Sequence, residues 1–255
     1  MLGAIAGDIV GSVYEGRPIK QKGFPLFGRG ATFTDDSVLT VATADVLLYD
    51  GDYREAYKGY FRRHPHRGFG GNFALWAASD DPEPYGSFGN GSAMRVGPVG
   101  WARTTLDEVL VEAQRSAQVT HNHPEGIKGA QATAAAVFLA RARQSKADIR
   151  AFIEERFEYD LDRWLDDIRP GYTFDVSCQG SVPEAIIAFL EAEDFEDAIR
   201  NAVSLGGDSD TQACIAGAIA EACYGLPAPI EREVMAHLDA DLTEVTRAFR
   251  TAYVA

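Results

Sequence analysis

The sequence predicts an all-α protein, and three observations carry that prediction. Apolar residues recur at helical spacing in segment after segment, three further stretches are apolar nearly all round, and no run alternates as a half-buried strand would. Of 255 residues, 46% are hydrophobic, enough to fill one large core, so a single domain over residues 1–255 is expected. No linker, repeat or low-complexity tract divides it.

Along the chain, Gly3, Gly7 and Gly11 repeat every four residues and leave a bare stripe on which another helix can pack closely. Residues 38–48, 130–142 and 213–222 read as central helices, because a helix that is hydrophobic all round is a buried one. Amphipathic helices are read from four patterns. They are Leu106, Val109, Leu110, Ala113 and Ala117; Ile149, Phe152, Ile153 and Phe157; Phe195, Ala198, Ile199, Ala202 and Val203; and Leu242, Val245, Ala248, Phe249 and Ala252. Pro183, just after Ser181 and Val182, fits the first turn of a helix carrying Ile186, Ile187 and Leu190. Residues 15–34, 62–72, 80–101, 120–126, 168–182 and 204–209 read as irregular and hold most of the Gly, Pro, His and paired acids. Functional groups concentrate on such segments.

The formal charge of −14 repels phosphates at long range and argues against general nucleic-acid binding or attraction to anionic membranes. The three cysteines, Cys178, Cys214 and Cys223, form no CxxC pair, which fits reduced thiols in a cytoplasm rather than a disulfide scaffold or thiolate zinc site. The apolar N-terminal stretch lacks a basic flank, carries Asp8 and is too short to span a bilayer, so a cytoplasmic protein without a membrane segment is expected, as a monomer.

Two acid clusters stand where apolar helices begin. Thr34, Asp35 and Asp36 precede the helix near Val38, and Asp208, Ser209, Asp210 and Thr211 precede that from Ala213. Capping explains either cluster alone. Each helix needs only one cap, however, and each start carries two carboxylates and a threonine. If the starts converge, four carboxylates share one volume and require a neutralising cation. Oxygen donors without His or Cys suit Mg²⁺, Mn²⁺ or Ca²⁺, and four acids support two divalent ions better than one. A calcium loop fails on spacing, since Ala213 and Ile219 fall where the turning Gly and the bidentate Glu belong.

At these residues the sequence resembles the ADP-ribosylglycohydrolase family. The matching stretches run in order: Gly3 to Asp8 and on through Tyr14-Glu15, Thr34-Asp35-Asp36-Ser37, Gly89-Asn90-Gly91-Ser92-Ala93-Met94-Arg95, Thr120-His121 with Pro124, Ser181-Val182-Pro183, and Gly206-Gly207-Asp208-Ser209-Asp210-Thr211. The resemblance implies an orthogonal all-α bundle with a binuclear Mg²⁺ or Mn²⁺ site at the base of an ADP-ribose cleft. Thr34, Asp35 and Asp36 would then be one half of the ligand set and Asp208, Asp210 and Thr211 the other. The implied reaction is hydrolysis of the bond between ADP-ribose and an acceptor, with Glu15, Asp35 and Asp36 as catalytic candidates. Its transition state has oxocarbenium character, which negative charge beside the ring and an activated water both favour. The alternatives are a non-catalytic binding protein on the same fold and a two-metal nucleotide phosphoesterase.

Phe88, Gly89, Asn90, Gly91, Ser92 and Met94 lie in or beside a Gly-Asn-Gly turn whose backbone N–H groups can approach an anion closely. An ordinary turn explains the same residues. The resemblance makes this the loop that cradles the phosphates and distal ribose, with Gly91 and Ser92 the closest to them. It makes His121 a cleft residue, although capping or core roles are usual for such histidines. Arg95 suits either a phosphate or an ion pair inside the fold. Zinc held by His64, His66, His121 and His123 lacks a completing acid or cysteine. Phe88, Tyr172 and Phe174 are candidate shelves for adenine. One departure stands out: Gly86 and Ser87 occupy the stretch where arginine-directed bacterial members carry an acid. Acceptor preference is thereby left open among serine, arginine and O-acetyl linkages, on proteins or small conjugates.

Overall fold

A computed structural model describes residues 1–80 and 83–254. In chain order the helices are α1 (Leu2–Gly11), α2 (Asp35–Tyr49), α3 (Tyr53–Arg63), α4 (Gly71–Ala78), α5 (Gly91–Met94), α6 (Gly97–Ala102), α7 (Leu106–Gln118), α8 (Pro124–Arg141), α9 (Lys146–Phe157), α10 (Leu165–Ile168), α11 (Cys178–Glu191), α12 (Phe195–Val203), α13 (Ser209–Tyr224), α14 (Ala228–His237) and α15 (Ala240–Tyr253). Among the described residues there is no strand, only an isolated antiparallel bridge between Gly89 and Ser177. None of these helices is long and apolar enough to cross a membrane.

Local chemistry sets many of the boundaries. Side chains of Thr34, Asp52, Ser145, Asp194 and Asp239 each accept an N–H from the first turn of the helix that follows. Thr105 and Glu108 form a complete capping box on α7. Of the three stretches expected as central helices, those in α2 and α13 are buried over nearly their whole length, and that in α8 is buried from Ala132 to Val137, as all-round apolarity predicts.

The glycine stripe decides how the centre is assembled. A Cβ on Gly3 would lie 2.3 Å from the Gly217 carbonyl oxygen, one on Gly7 1.9 Å from that of Ala213, and one on Gly11 2.4 Å from Cα of Asp210. Helices α1 and α13 therefore run antiparallel with backbones nearly touching, a separation only glycine permits. Gly3 N also donates to Glu221 at 2.7 Å, and the Met1 ammonium pairs with the same carboxylate, fixing the far end of the seam. This register carries Asp8 of α1 to the first turn of α13.

Two expectations about irregular structure are corrected. Pro183 is the sixth residue of α11 and not part of its first turn. The helix starts earlier because Ser177 Oγ accepts from Gly180 N at 3.2 Å and Cys178 N donates to the Phe88 carbonyl at 2.9 Å. These bonds outweigh the single backbone hydrogen bond that proline forfeits. Segments 80–101, 120–126 and 168–182 also contain helix: α5, α6 and the first turns of α8 and α11. The Gly-Asn-Gly sequence thus opens a one-turn helix, with Asn90 at its N-cap, instead of forming an open loop.

Candidate active site

The first turns of α2 and α13 meet beside α1 at the base of a cavity of about 360 Å³. Asp8, fully buried, receives four bonds from the start of α2. Its Oδ2 accepts from Thr34 N at 2.9 Å, from Ser37 N at 3.0 Å and from the Ser37 hydroxyl, and its Oδ1 accepts from Thr34 Oγ1 at 2.7 Å. An acid on one helix thus satisfies the orphan N–H groups of another. Carboxylate oxygens of Asp8, Asp36 and Asp210 lie within 4.8 Å of one another, and so do those of Glu15, Asp208 and Asp210.

Capping does not account for these acids. Thr34 caps α2, accepting from Asp36 N at 3.3 Å, but Asp208 stands at the N-cap of α13 without a side-chain capping bond. Asp208 Oδ2 accepts instead from Asn90 Nδ2 at 2.8 Å, and Asn90 also donates to Ser181 Oγ at 3.2 Å. Oδ1 of Asp36 and Oδ1 of Asp210 are buried with no hydrogen-bond partner. Thr211 Oγ1 donates to Asp36 Oδ2 at 3.3 Å, leaving its lone pairs free.

The charge balance is severe. Burial, then repulsion from neighbouring acids, pushes the carboxyls of Asp36 and Asp210 well above the usual range, and that of Asp35 up to about 8. Asp8 and Asp208 are raised by burial against the pull of their hydrogen bonds. Glu15, at the exposed mouth, is raised by burial and by Asp208 and Asp8. No Lys or Arg among the described residues is ion-paired with any of the six. Orphaned, buried, all-oxygen donors with no internal counter-charge are what a hard divalent cation neutralises.

A family profile described as ADP-ribosylglycohydrolase matches residues 1–254. The chain belongs to the ADP-ribosylglycohydrolase family. Among its relatives, ADP-ribosylhydrolase ARH3 of Mus musculus is 29% identical over 308 residues, covering 89% of this chain and 83% of that protein. ADP-ribosylarginine hydrolase Tri1 of Pseudomonas putida (strain GB-1) is 27% identical over 267 residues, covering 89% and 70%. A solved structure described as an ADP-ribosylglycohydrolase-related protein complex shares the fold, with a TM-score of 0.73, 24% identity and coverage of 97% of this chain and 95% of that one. As an ADP-ribosylglycohydrolase, the protein is an enzyme that hydrolyses glycosidic bonds of ADP-ribose.

Within this member of the family, the expected site residues divide. Glu15, Thr34, Asp35, Asp36, Gly89, Asn90, Gly91, Met94, His121, Asp208, Asp210 and Thr211 all line the cavity. Phe88, Ser92 and Tyr172 do not. Ser92 is fully buried, with Oγ donating to the Gly126 carbonyl at 2.7 Å. Tyr172 packs its ring on Gly207 and gives its hydroxyl to the Gly180 carbonyl at 2.8 Å. Phe88 rests on His123, ring centroids 5.4 Å apart. Of the three aromatic shelves, Phe174 alone lines the cavity, beside Val176, and both are exposed.

The zinc alternative is not supported by the arrangement. His123 caps α8, His64 sits by Asp239 and Asp241, and no potential metal group among the described residues contains a histidine. Arg95 is fully buried, and among the described residues no acid forms the expected ion pair with it.

Asp8 is the residue sequence reasoning left without a role. Its signal was a lone acid in a helix otherwise apolar or glycine, LGAIAGDIVG. Phe73 and Tyr85 also line the cavity. Nothing in their local sequence marked them, since tertiary packing alone brings them there.

Proposed function

We propose that this enzyme releases ADP-ribose from O-linked or N-linked conjugates, on protein side chains or small acceptors, in a reaction that depends on divalent cations. The observation that carries the reading is the pair of buried, unpartnered oxygens, Asp36 Oδ1 and Asp210 Oδ1, on two acids whose carboxylates come within 4.8 Å of each other at the starts of two helices. The two overlapping acid groups favour two ions, Mg²⁺ or Mn²⁺, held by Thr34, Asp35, Asp36, Asp208, Asp210 and Thr211. Asp8 suits a buttress better than a ligand, because both its oxygens are already engaged by Thr34 and Ser37. When bound, such ions orient ribose hydroxyls and lower the pKa of a coordinated water.

The chain's own residues supply the rest. Asn90 holds Asp208 in place, and Thr211 holds Asp36. The acid cluster puts negative charge at the cavity base, where an oxocarbenium-like ribose is favoured. Glu15, its carboxyl raised by burial and by neighbouring acids, is suited to pass a proton at the mouth. Phe174 and Val176 offer an apolar face for the adenine ring. We place the activity in one domain spanning the chain, acting as a monomer in the cytoplasm.

The deciding experiment is a panel of serine-, arginine- and acetyl-linked ADP-ribose, assayed with Mg²⁺ and with Mn²⁺. Free ADP-ribose as the product supports the reading. AMP or inorganic phosphate would make the enzyme a phosphoesterase, and no turnover on any substrate would leave a binding protein.

A further inference from the structure

Arg95 is a fully buried cation that no carboxylate among the described residues partners. Its Nη2 donates to the Ser116 carbonyl at 3.0 Å and to Thr120 Oγ1 at 2.9 Å, and its guanidinium lies 4.2 Å from the centre of the Tyr57 ring. Thr120 Oγ1 is in turn 2.7 Å from Nδ1 of the adjacent His121. These contacts determine the direction of each proton.

A guanidinium can only donate, so the Thr120 oxygen accepts from Arg95 and its single proton remains to be given. Thr120 is fully buried, and its shortest hydrogen bond is the 2.7 Å contact with His121 Nδ1. The proton of Thr120 therefore goes to Nδ1, which must carry a lone pair. The guanidinium acts in the same sense, because a positive charge on this side of the ring favours the lone pair there and the N–H opposite. Burial and Arg95 together hold the imidazole's pKa well below the ordinary histidine range, so the ring stays neutral.

Nε2 lies on the cavity side. It would be 3.4 Å from a Cβ on Gly91 and 3.7 Å from one on Gly89, and no group among the described residues bonds it. We propose that Arg95 and Thr120 lock His121 as a neutral Nε2–H donor aimed into the cavity, where it binds an acceptor oxygen of ADP-ribose. This rests on the reading of the cavity as an ADP-ribose site. Arg95 and Thr120 are positioning residues that act through His121, and the two glycines leave the ring room to reach its ligand.

The test is long-range ¹H–¹⁵N correlation on the full labelled chain with Mg²⁺, the His121 signals being identified by their loss in His121→Gln. The expected pattern is protonated Nε2 and bare Nδ1, unchanged from pH 6 to 8, with the Nε2–H resonance moving when ADP-ribose is added. A bare Nε2 or an imidazolium overturns the proposal. Thr120→Val should mix the tautomers and weaken ADP-ribose binding by up to about tenfold, the range for one hydrogen bond, and Thr120→Ser should restore both. If the valine variant does not fold, the native spectrum and the serine variant still decide. Binding of ADP-ribose with the expected tautomer but no hydrolysis would sink the proposed function and spare this inference. The opposite tautomer in an active hydrolase would sink this inference alone.

Discussion

The Thr211 hydroxyl donates to the Asp36 carboxylate across 3.3 Å, tying the first turn of α13 to the first turn of α2. With Asp8 bonding Thr34 and Ser37 from α1, three helices distant in sequence are pinned at one point. The pin uses one oxygen of Asp36 and leaves the other bare.

Asp210→Asn should lower divalent-dependent hydrolysis by more than about a hundredfold, since it removes a carboxylate shared by both acid groups. The same substitution should raise the melting temperature in EDTA, because burial and like charges destabilise the ionised group. Turnover equal to that of the native enzyme in Mg²⁺ would remove Asp210 from the chemistry.

The metal-free protein should lose stability as pH rises. Asp35 titrates near 8 in the fold against an ordinary 3.8, so between those values the native state keeps a proton that the unfolded chain has released. Stability therefore declines with pH through that window, and Asp8, Asp36, Asp208 and Asp210 are displaced in the same direction. Divalent cations bind the ionised acids, so Mg²⁺ should raise the melting temperature more at pH 8 than at pH 6. Calorimetry at the two values, with and without EDTA, checks this; a larger gain at pH 6 contradicts it.

Glu15→Gln should reduce kcat by about 10²-fold or more while changing ADP-ribose affinity little, the pattern of a lost proton-transfer group. Its carboxylate lies within reach of Asp208 and Asp210, so the apparent Mg²⁺ affinity should also fall. A defect confined to ADP-ribose binding would make Glu15 a substrate-positioning group.

Asn90→Ala should weaken Mg²⁺ or Mn²⁺ binding by about 10–100-fold, because Asp208 would lose the amide that orients it. Isothermal titration with the metal alone measures this directly. Unchanged affinity would confine Asn90 to contact with the substrate.

Gly7→Ala should destabilise the protein by at least about 1–3 kcal/mol, since the new methyl would lie 1.9 Å from a backbone oxygen of α13 and cannot be relieved by rotating a side chain. Thermal melts with saturating Mg²⁺ test it, and a melting temperature equal to the native one would mean the seam can open.

The seam and the acid clusters were legible because they rest on spacing and on residue type. Glycines every fourth residue can be read from a string of letters, as can paired acids before apolar helices. Asp8 was visible as a lone acid but its role was not, because that role is to bond the start of α2, a relation only the fold creates. The Gly-Asn-Gly segment reads as a turn because four helical residues are too few to leave a periodic trace. That Ser92 and Tyr172 stand outside the cavity lining has a similar origin. A serine hydroxyl that closes on Gly126, or a tyrosine ring that packs on Gly207, has the same sequence signature as one that faces a ligand.

The contact of α1 with α13 has a consequence for how such an enzyme can diversify. Gly11 stops against Asp210 with no spare space, so the floor that carries the acids has no play in it. Variation is accommodated instead in the exposed segment that carries Phe174 and Val176, which can lengthen or exchange residues without disturbing the floor. The architecture separates an inherited reaction centre from an adaptable rim, and lineages that part company over their targets should differ first at that rim.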